Sequence, residues 1–295
     1  AGRRGQCGRQ GGAGQAGAQA RADQHATVLA AYGTADPTAE APLADGYGRG
    51  DPVDVALVEG TDLVQDLVLS PPARLVVRVR DEGGDPLPAV VHVRFPAGVS
   101  DPRPADGRLG ERRPYGGARK TAWLRTGELV VPVPAGTYDV EAHRGFRHDA
   151  ARVDGVELTA GEDTDVELTL PAAVETPGWL AFDPHLHGPA NDGRVSMEER
   201  VVGSAAHDLD VQVSTDHDQA IDYGPLVDAM GLDDRLLPLA GVEVSTVLRG
   251  HFCIFPIDVD PEAPNGGAPT WWLLEEPSTP ALFDDMRSRV GEDGV

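Results

Sequence analysis

The sequence predicts two folded parts in series: an all-β sandwich, then an α/β segment that reads as the front of a (β/α) barrel. Three observations predict this. Seven short stretches of alternating apolar and polar residues occupy positions 73–170, with turn residues between them. After Pro171, strand-like and helix-like patterns alternate instead. Histidines then fall at successive predicted strand ends, which share one face in a (β/α) barrel.

The N-terminal stretch AGRRGQCGRQGGAGQAGAQARADQ is Gly, Gln, Ala and Arg without apolar periodicity. Such a segment cannot offset its ordering entropy, so positions 1–44 are assigned as disordered and low in complexity. PVDVALVEG and DLVQDLVLS read as strands, and GTDLVQDLVLSPP aligns loosely with GEDTDVELTLPAA further on. Positions 45–72 are therefore expected to be the remnant of an earlier sandwich.

The first complete sandwich is placed at 73–172. Its strands are ARLVVRVRD, AVVHVRF, KTAWLR, ELVVPVPAG, TYDVEAHRG, ARVDGVELT and DTDVELTL. Each alternates as a sheet with one wet face requires, and Gly83, Gly84, Pro86, Gly127, Gly136 and Gly161 punctuate them. His92, His143 and His148 stand apart in sequence here and read as surface or packing residues.

The second part is placed at 173–295. LAFDPHLHG is a strand running into a loop. Positions 196–208 form a helix, with Ser196 as N-cap and Glu198 and Glu199 in its first turn. DVQVST, LLPLAGVEVS and HFCIFPI are strands, 222–231 is a short helix, and 279–290 is a helix with Pro280 in its first turn.

Bulk properties narrow the function. The net charge of −23 excludes an ordinary nucleic-acid surface and favours cations near the chain. Lys120 is the only lysine. Cys7 and Cys253 lie far apart, so neither a disulfide framework nor a Cys-x-x-Cys metal site is present. No run of 18 apolar residues occurs, so no membrane span is expected. A Gly-x-Ser-x-Gly elbow is also missing, which argues against a serine hydrolase.

The chemistry gathers in the second part. His185 and His187 are two apart, so an extended strand presents both imidazoles on one side. Asp192 follows in the loop GPANDG. Asp216-His217-Asp218 ends the next strand, Glu243 lies in GVEVS, and His251 opens HFCIFPI after a glycine. Imidazole with carboxylate suits zinc, iron or manganese, and a carboxylate can bridge two ions.

The ordered strings FDPHLHGPANDG, VSTDHD, GVEVS and RGHF resemble the motifs of PHP-domain (polymerase and histidinol phosphatase) metallohydrolases. With the upstream sandwich, the resemblance is to the carbaryl hydrolase-like CehA/McbA group. VPVPAGTYDVEAHRG similarly resembles the transthyretin-like, carboxypeptidase-regulatory-like sandwich. These resemblances imply an all-β transthyretin-like sandwich followed by an incomplete (β/α)7-type PHP barrel. They imply that His185 and His187 bind one metal, that Glu243 bridges two, that His251 binds the second, and that Asp192 and His217 bind a third. Two or three divalent ions (Zn, Mn or Fe) would fill the complete domain. Asp183 and Asp216 would orient histidines, with Asp216 assigned to catalysis, and Arg249 would contact an anionic substrate. Position 188 is Gly where the family carries Ser or Thr. The family's later Asn-His-Pro and Asp-x-His motifs do not occur, so C-terminal ligands are expected to be lacking.

The expected activity is metal-assisted hydrolysis of a phosphoester or of a carboxylic or carbamic ester. The expected partner is a small-molecule substrate, and the sandwich modules suggest an extracytoplasmic setting. The alternative is an extracytoplasmic binding or structural sandwich protein carrying a non-functional metal-site remnant.

Overall fold

The computed structural model describes residues 15–21, 62–68, 71–100, 118–274 and 278–290. Strand β1 (Gln15–Arg21) pairs antiparallel with β2 (Asp62–Val68). Composition predicted no order at Gln15–Arg21, but a backbone ladder needs no apolar side chains of its own when a partner strand supplies the register. The predicted strand PVDVALVEG lies outside the described residues.

All seven predicted sandwich strands form: β3 (Ala73–Arg80), β4 (Ala89–Arg94), β5 (Lys120–Leu124), β6 (Glu128–Val133), β7 (Gly136–His143), β8 (Ala151–Leu158) and β9 (Asp163–Thr169). They make two sheets, β6-β3-β9 and β5-β4-β7-β8. The first is mixed, since β3 pairs antiparallel with β6 and parallel with β9. Alternation decides what is buried between them. Leu75, Val77 and Val79 from β3, Val91 and Val93 from β4, and Val140 from β7 meet in one apolar core. The intervening positions of β4 (Val90, His92 and Arg94) project from the opposite face of the four-stranded sheet.

The second part contains β10 (Phe182–Leu186), α1 (Met197–Ala206), β11 (Val211–Ser214), α2 (Gly224–Ala229), β12 (Leu237–Ala240), β13 (Val242–Thr246), β14 (Gly250–Ile254) and α3 (Thr279–Arg289). Ser196 caps α1 in a reciprocal capping box with Glu199, as the sequence predicted. Strands β10, β11 and β12 form a three-stranded parallel sheet, and β13 pairs antiparallel with β14. Beyond β12 the chain stays beside β11: Gly241 N donates to Ser214 O, Glu243 N to Asp216 O, and Asp218 N to Glu243 O.

This arrangement corrects the expected (β/α)7-type barrel. The described chain is mostly β-sheet with three α-helices, and its α/β part is an open three-stranded sheet with an antiparallel hairpin. A parallel neighbour needs a crossover of a dozen or more residues. Only Gly241 separates β12 from β13, and only Val247, Leu248 and Arg249 separate β13 from β14. Such spacing makes a hairpin, not another β/α repeat. No helix among the described residues is long and apolar enough to cross a membrane.

The β7–β8 corner fastens the sandwich to this sheet. Arg144 donates through Nη1 to the carbonyls of Pro88 (2.7 Å) and Ala205 (2.6 Å), and its Nη2 pairs with Asp208 Oδ1 at 2.5 Å. Arg147 binds Asp208 Oδ2 at 2.7 Å and Asp210 Oδ1 at 3.0 Å. Asp210 in turn accepts from Ala181 N at 2.7 Å, just ahead of β10. The corner therefore sets where the His-x-His strand begins.

Candidate metal centre

The C-terminal ends of β10 and β11 and the start of β13 lie side by side, so their polar residues converge. A register shift between Asp183 and Leu186 in β10 turns the His-x-His segment relative to β11. An isolated parallel bridge pairs His217 with Glu243. Bridge partners point to the same side of a sheet, which sets the two side chains together.

Glu243 is the centre. It is 4% exposed. Its Oε2 lies 2.9 Å from His185 Nε2, 2.9 Å from His187 Nε2 and 3.4 Å from His217 Nδ1. Its Oε1 lies 2.6 Å from His251 Nδ1. Burial alone would raise the carboxyl's pKa. Hydrogen bonds from His185 and His251 and the field of His217 outweigh it, so the group is held below the usual carboxylate range.

Asp192 closes the other side, with Oδ1 3.0 Å from His187 Nδ1 and Oδ2 3.6 Å from His217 Nε2. His187 Nδ1 is buried and makes no hydrogen bond despite that proximity. A ring nitrogen and a carboxylate that approach without a hydrogen bond between them are the arrangement a shared cation would resolve. Among the described residues, three overlapping groups could each hold a metal ion: His185, His187 and Glu243; His187, Asp192 and His217; and His217, Glu243 and His251. Within each, the ligand atoms lie within 4.8 Å of one another. All six residues singled out in the sequence as metal ligands are thus brought together, and their nitrogen and carboxylate donors fit zinc, manganese or iron.

The supporting residues divide differently from expectation. Asp183 and Asp216, expected to orient imidazoles, each accept from backbone of the His-x-His segment. Asp183 Oδ1 accepts from His185 N at 3.0 Å, and Asp216 Oδ1 accepts from Gly188 N at 2.9 Å. Asp216 is 1% exposed and lies against the His-x-His loop. Burial pushes its carboxyl's pKa up, against the opposing pull of the Gly188 amide and His187. Arg200 donates to His187 O at 2.7 Å. Gly193 fits because its missing Cβ would stand 2.1 Å from Gly188 O, so the loop closes on itself and carries Asp192 inward. Arg249 sits on the exposed tip of the β13–β14 hairpin, and its guanidinium has no ion-pair partner among the described residues.

Sequence reading missed Ser245. Its Oγ donates to Glu243 O at 3.0 Å and lies 2.5 Å from His217 Nδ1, which it can accept from. That fixes the His217 tautomer and leaves Nε2 to face Asp192. The signal was available, because Ser245 is two residues after Glu243 and so shares its side of β13. Asp218 was also undervalued. It adopts a left-handed backbone (φ 51°), and its Oδ1 accepts from Ser245 N at 3.0 Å and Trp271 Nε1 at 3.2 Å.

No family model matches the chain, and no curated protein matches it. Among solved structures, the chain is similar to the Bacillus anthracis TIE protein at 16% identity, over 38% of this chain and 18% of that one, with a TM-score of 0.23. It is also similar to GBS52, the minor pilin of Streptococcus agalactiae, at 13% identity, over 40% of this chain and 56% of that one, with a TM-score of 0.25. The chain thus spans less than two thirds of either protein, and likenesses at these scores carry nothing about the site.

Proposed function

We propose that this chain is a metal-dependent hydrolase that uses activated water on a phosphoester or a carboxylic or carbamic ester. The observation that carries the reading is a buried carboxylate, Glu243, set within 3.4 Å of four imidazoles, with Asp192 against two of them. The ordered PHP-like motifs of the sequence support the same chemistry, independently of the barrel they suggested. A divalent ion bound there would lower the pKa of water towards neutrality and polarise an ester oxygen.

The chain's own residues have distinct tasks in this reading. Glu243 divides its two oxygens between His185 and His187 on one side and His251 on the other. Ser245 holds the His217 ring. Asp183, Asp216 and Arg200 hold the loop that presents His185 and His187. The side chains of His185 and His251 are 48% and 51% exposed, so the cluster opens to solvent on that side and substrate enters there. Arg249, two residues before His251, takes the contact with an anionic substrate group.

The test is turnover of bis(p-nitrophenyl) phosphate and of an aryl N-methylcarbamate by the zinc-, manganese- or iron-loaded chain. Metal-dependent turnover of one of them, abolished in Glu243→Gln, is the expected result. Stoichiometric metal without turnover of either overturns the hydrolase reading. It would favour the alternative, a binding or structural sandwich protein with a non-functional metal site.

A further inference from the structure

The outer face of the four-stranded sheet carries a second group of histidines that the hydrolase reading leaves unused. His92 on β4 and His143 on β7 are diagonal neighbours, since His92 stands opposite Glu141 and Val90 opposite His143. Their Nε2 atoms are 3.1 Å apart, with ring centroids at 5.2 Å and planes inclined by 29°. The ring of His207, at the C-terminal cap of α1, lies edge-on to His143 at 5.9 Å. His92 and His143 therefore form a close pair, and His207 stands at its edge where α1 covers the sandwich.

Their hydrogen bonds set which nitrogens are free. His207 Nδ1 is 2.7 Å from Gly203 O, an atom that can only accept. The proton is therefore on Nδ1, and Nε2 keeps its lone pair. His92 Nδ1 is 3.0 Å from Thr121 Oγ1, which can accept in the same way and leave Nε2 unprotonated towards His143. Two ring nitrogens at 3.1 Å either share one proton or turn both lone pairs to a cation. Two Zn–N bonds of about 2.0–2.1 Å at a tetrahedral angle place the nitrogens roughly 3.3 Å apart, close to the separation here.

We propose that His92, His143 and His207 form a second metal site, distinct from the Glu243 cluster, which takes a zinc-class divalent ion and ties α1 to the sandwich. His92 and His143 supply the paired donors. His207, exposed at the helix end, stands off from the pair, since the three residues do not all bring ligand atoms within 4.8 Å of one another; its ring swings in about the Nδ1–Gly203 O bond to add a third nitrogen, with water in the fourth position.

The groups around the pair act in opposing directions. Burial, then the Arg94 charge, lowers the His92 pKa to about 4, and burial followed by His207 lowers that of His143. The negative end of the α1 dipole and the Glu141 carboxylate both favour a cation. Arg94 opposes one, but its guanidinium lies 3.6 Å from Glu141.

The test is equilibrium dialysis of the full chain against Zn²⁺, with zinc counted by plasma mass spectrometry in wild type and in His92→Gln/His143→Gln. The double variant is expected to hold about one zinc fewer per chain. Equal counts overturn the proposal. Neither substitution touches the Glu243 cluster, so the difference reports on this site whether or not that cluster loads. If the double variant does not fold, His207→Gln decides, because that side chain is exposed. Zinc affinity at this site is then expected to fall about tenfold or more, and unchanged affinity overturns the proposal.

Discussion

Gly188 offers a quantitative check on how the His-x-His loop is supported. A Cβ at this position would stand 2.2 Å from Tyr223 Oη and 3.1 Å from Asp216 Oδ2. Carbon and oxygen cannot approach to 2.2 Å, so the loop or the tyrosine must move by about 1 Å. Tyr223 has little room to move. It is 2% exposed and packs with Val201, Val227, Leu232 and Leu236. Gly188→Ala should therefore cost about 1–3 kcal/mol by overpacking. Tyr223→Phe removes the obstructing atom, and Oη has no hydrogen-bond partner among the described residues, so this change alone should cost less than about 1 kcal/mol. The double variant Gly188→Ala/Tyr223→Phe should regain most of the loss, a coupling of about 1–2 kcal/mol in urea denaturation of the metal-free chain. Additivity within about 0.5 kcal/mol would refute the reasoning, because the clash would then not lie between these two groups.

Two further predictions follow from the same geometry. Ser245→Ala frees the His217 ring to rotate and should weaken metal binding about tenfold or more without unfolding the chain, as read by metal titration. In the metal-free chain, the low pKa of His92 makes stability depend on pH. The unfolded group binds its proton near 6.5 and the folded one near 4, so stability is complete above 6.5 and is lost as pH falls from 6.5 to 4. Allowing for partial exposure, the loss is on the order of 2 kcal/mol. His92→Gln should flatten that slope, whose facing charges are Arg94, Glu141, His143 and His207; an unchanged slope in urea midpoints across this range would contradict the assignment.

Much of the sandwich was legible because each strand has one wet face and one dry face, so the period of two is written into residues such as Leu75, Val77 and Val79. Part of the cluster was legible for a related reason, since the ends of the parallel strands β10 and β11 gather His185, His187 and His217, whereas Glu243 and His251 arrive through the antiparallel β13–β14 hairpin. The barrel was over-read. LLPLAGVEVS and HFCIFPI were taken as steps of a repeating β/α pattern, although the few residues between them leave no room for a crossover helix. Ser245, Arg200 and Asp218 were missed because they act on backbone or on another side chain, and composition does not reveal such contacts. The pairing of His92 with His143 depends on the register between β4 and β7, which alternation within either strand does not specify.

The central claim is that the Glu243 cluster holds metal, and the most direct measurement is metal content per chain in wild type and His185→Ala/His187→Ala, by plasma mass spectrometry after dialysis. To separate the two histidine groups, both are measured in the His92→Gln/His143→Gln background. Near-stoichiometric zinc, manganese or iron that is lost in the His185→Ala/His187→Ala form is the predicted result. Equal metal in both forms, or none in either, would contradict the account.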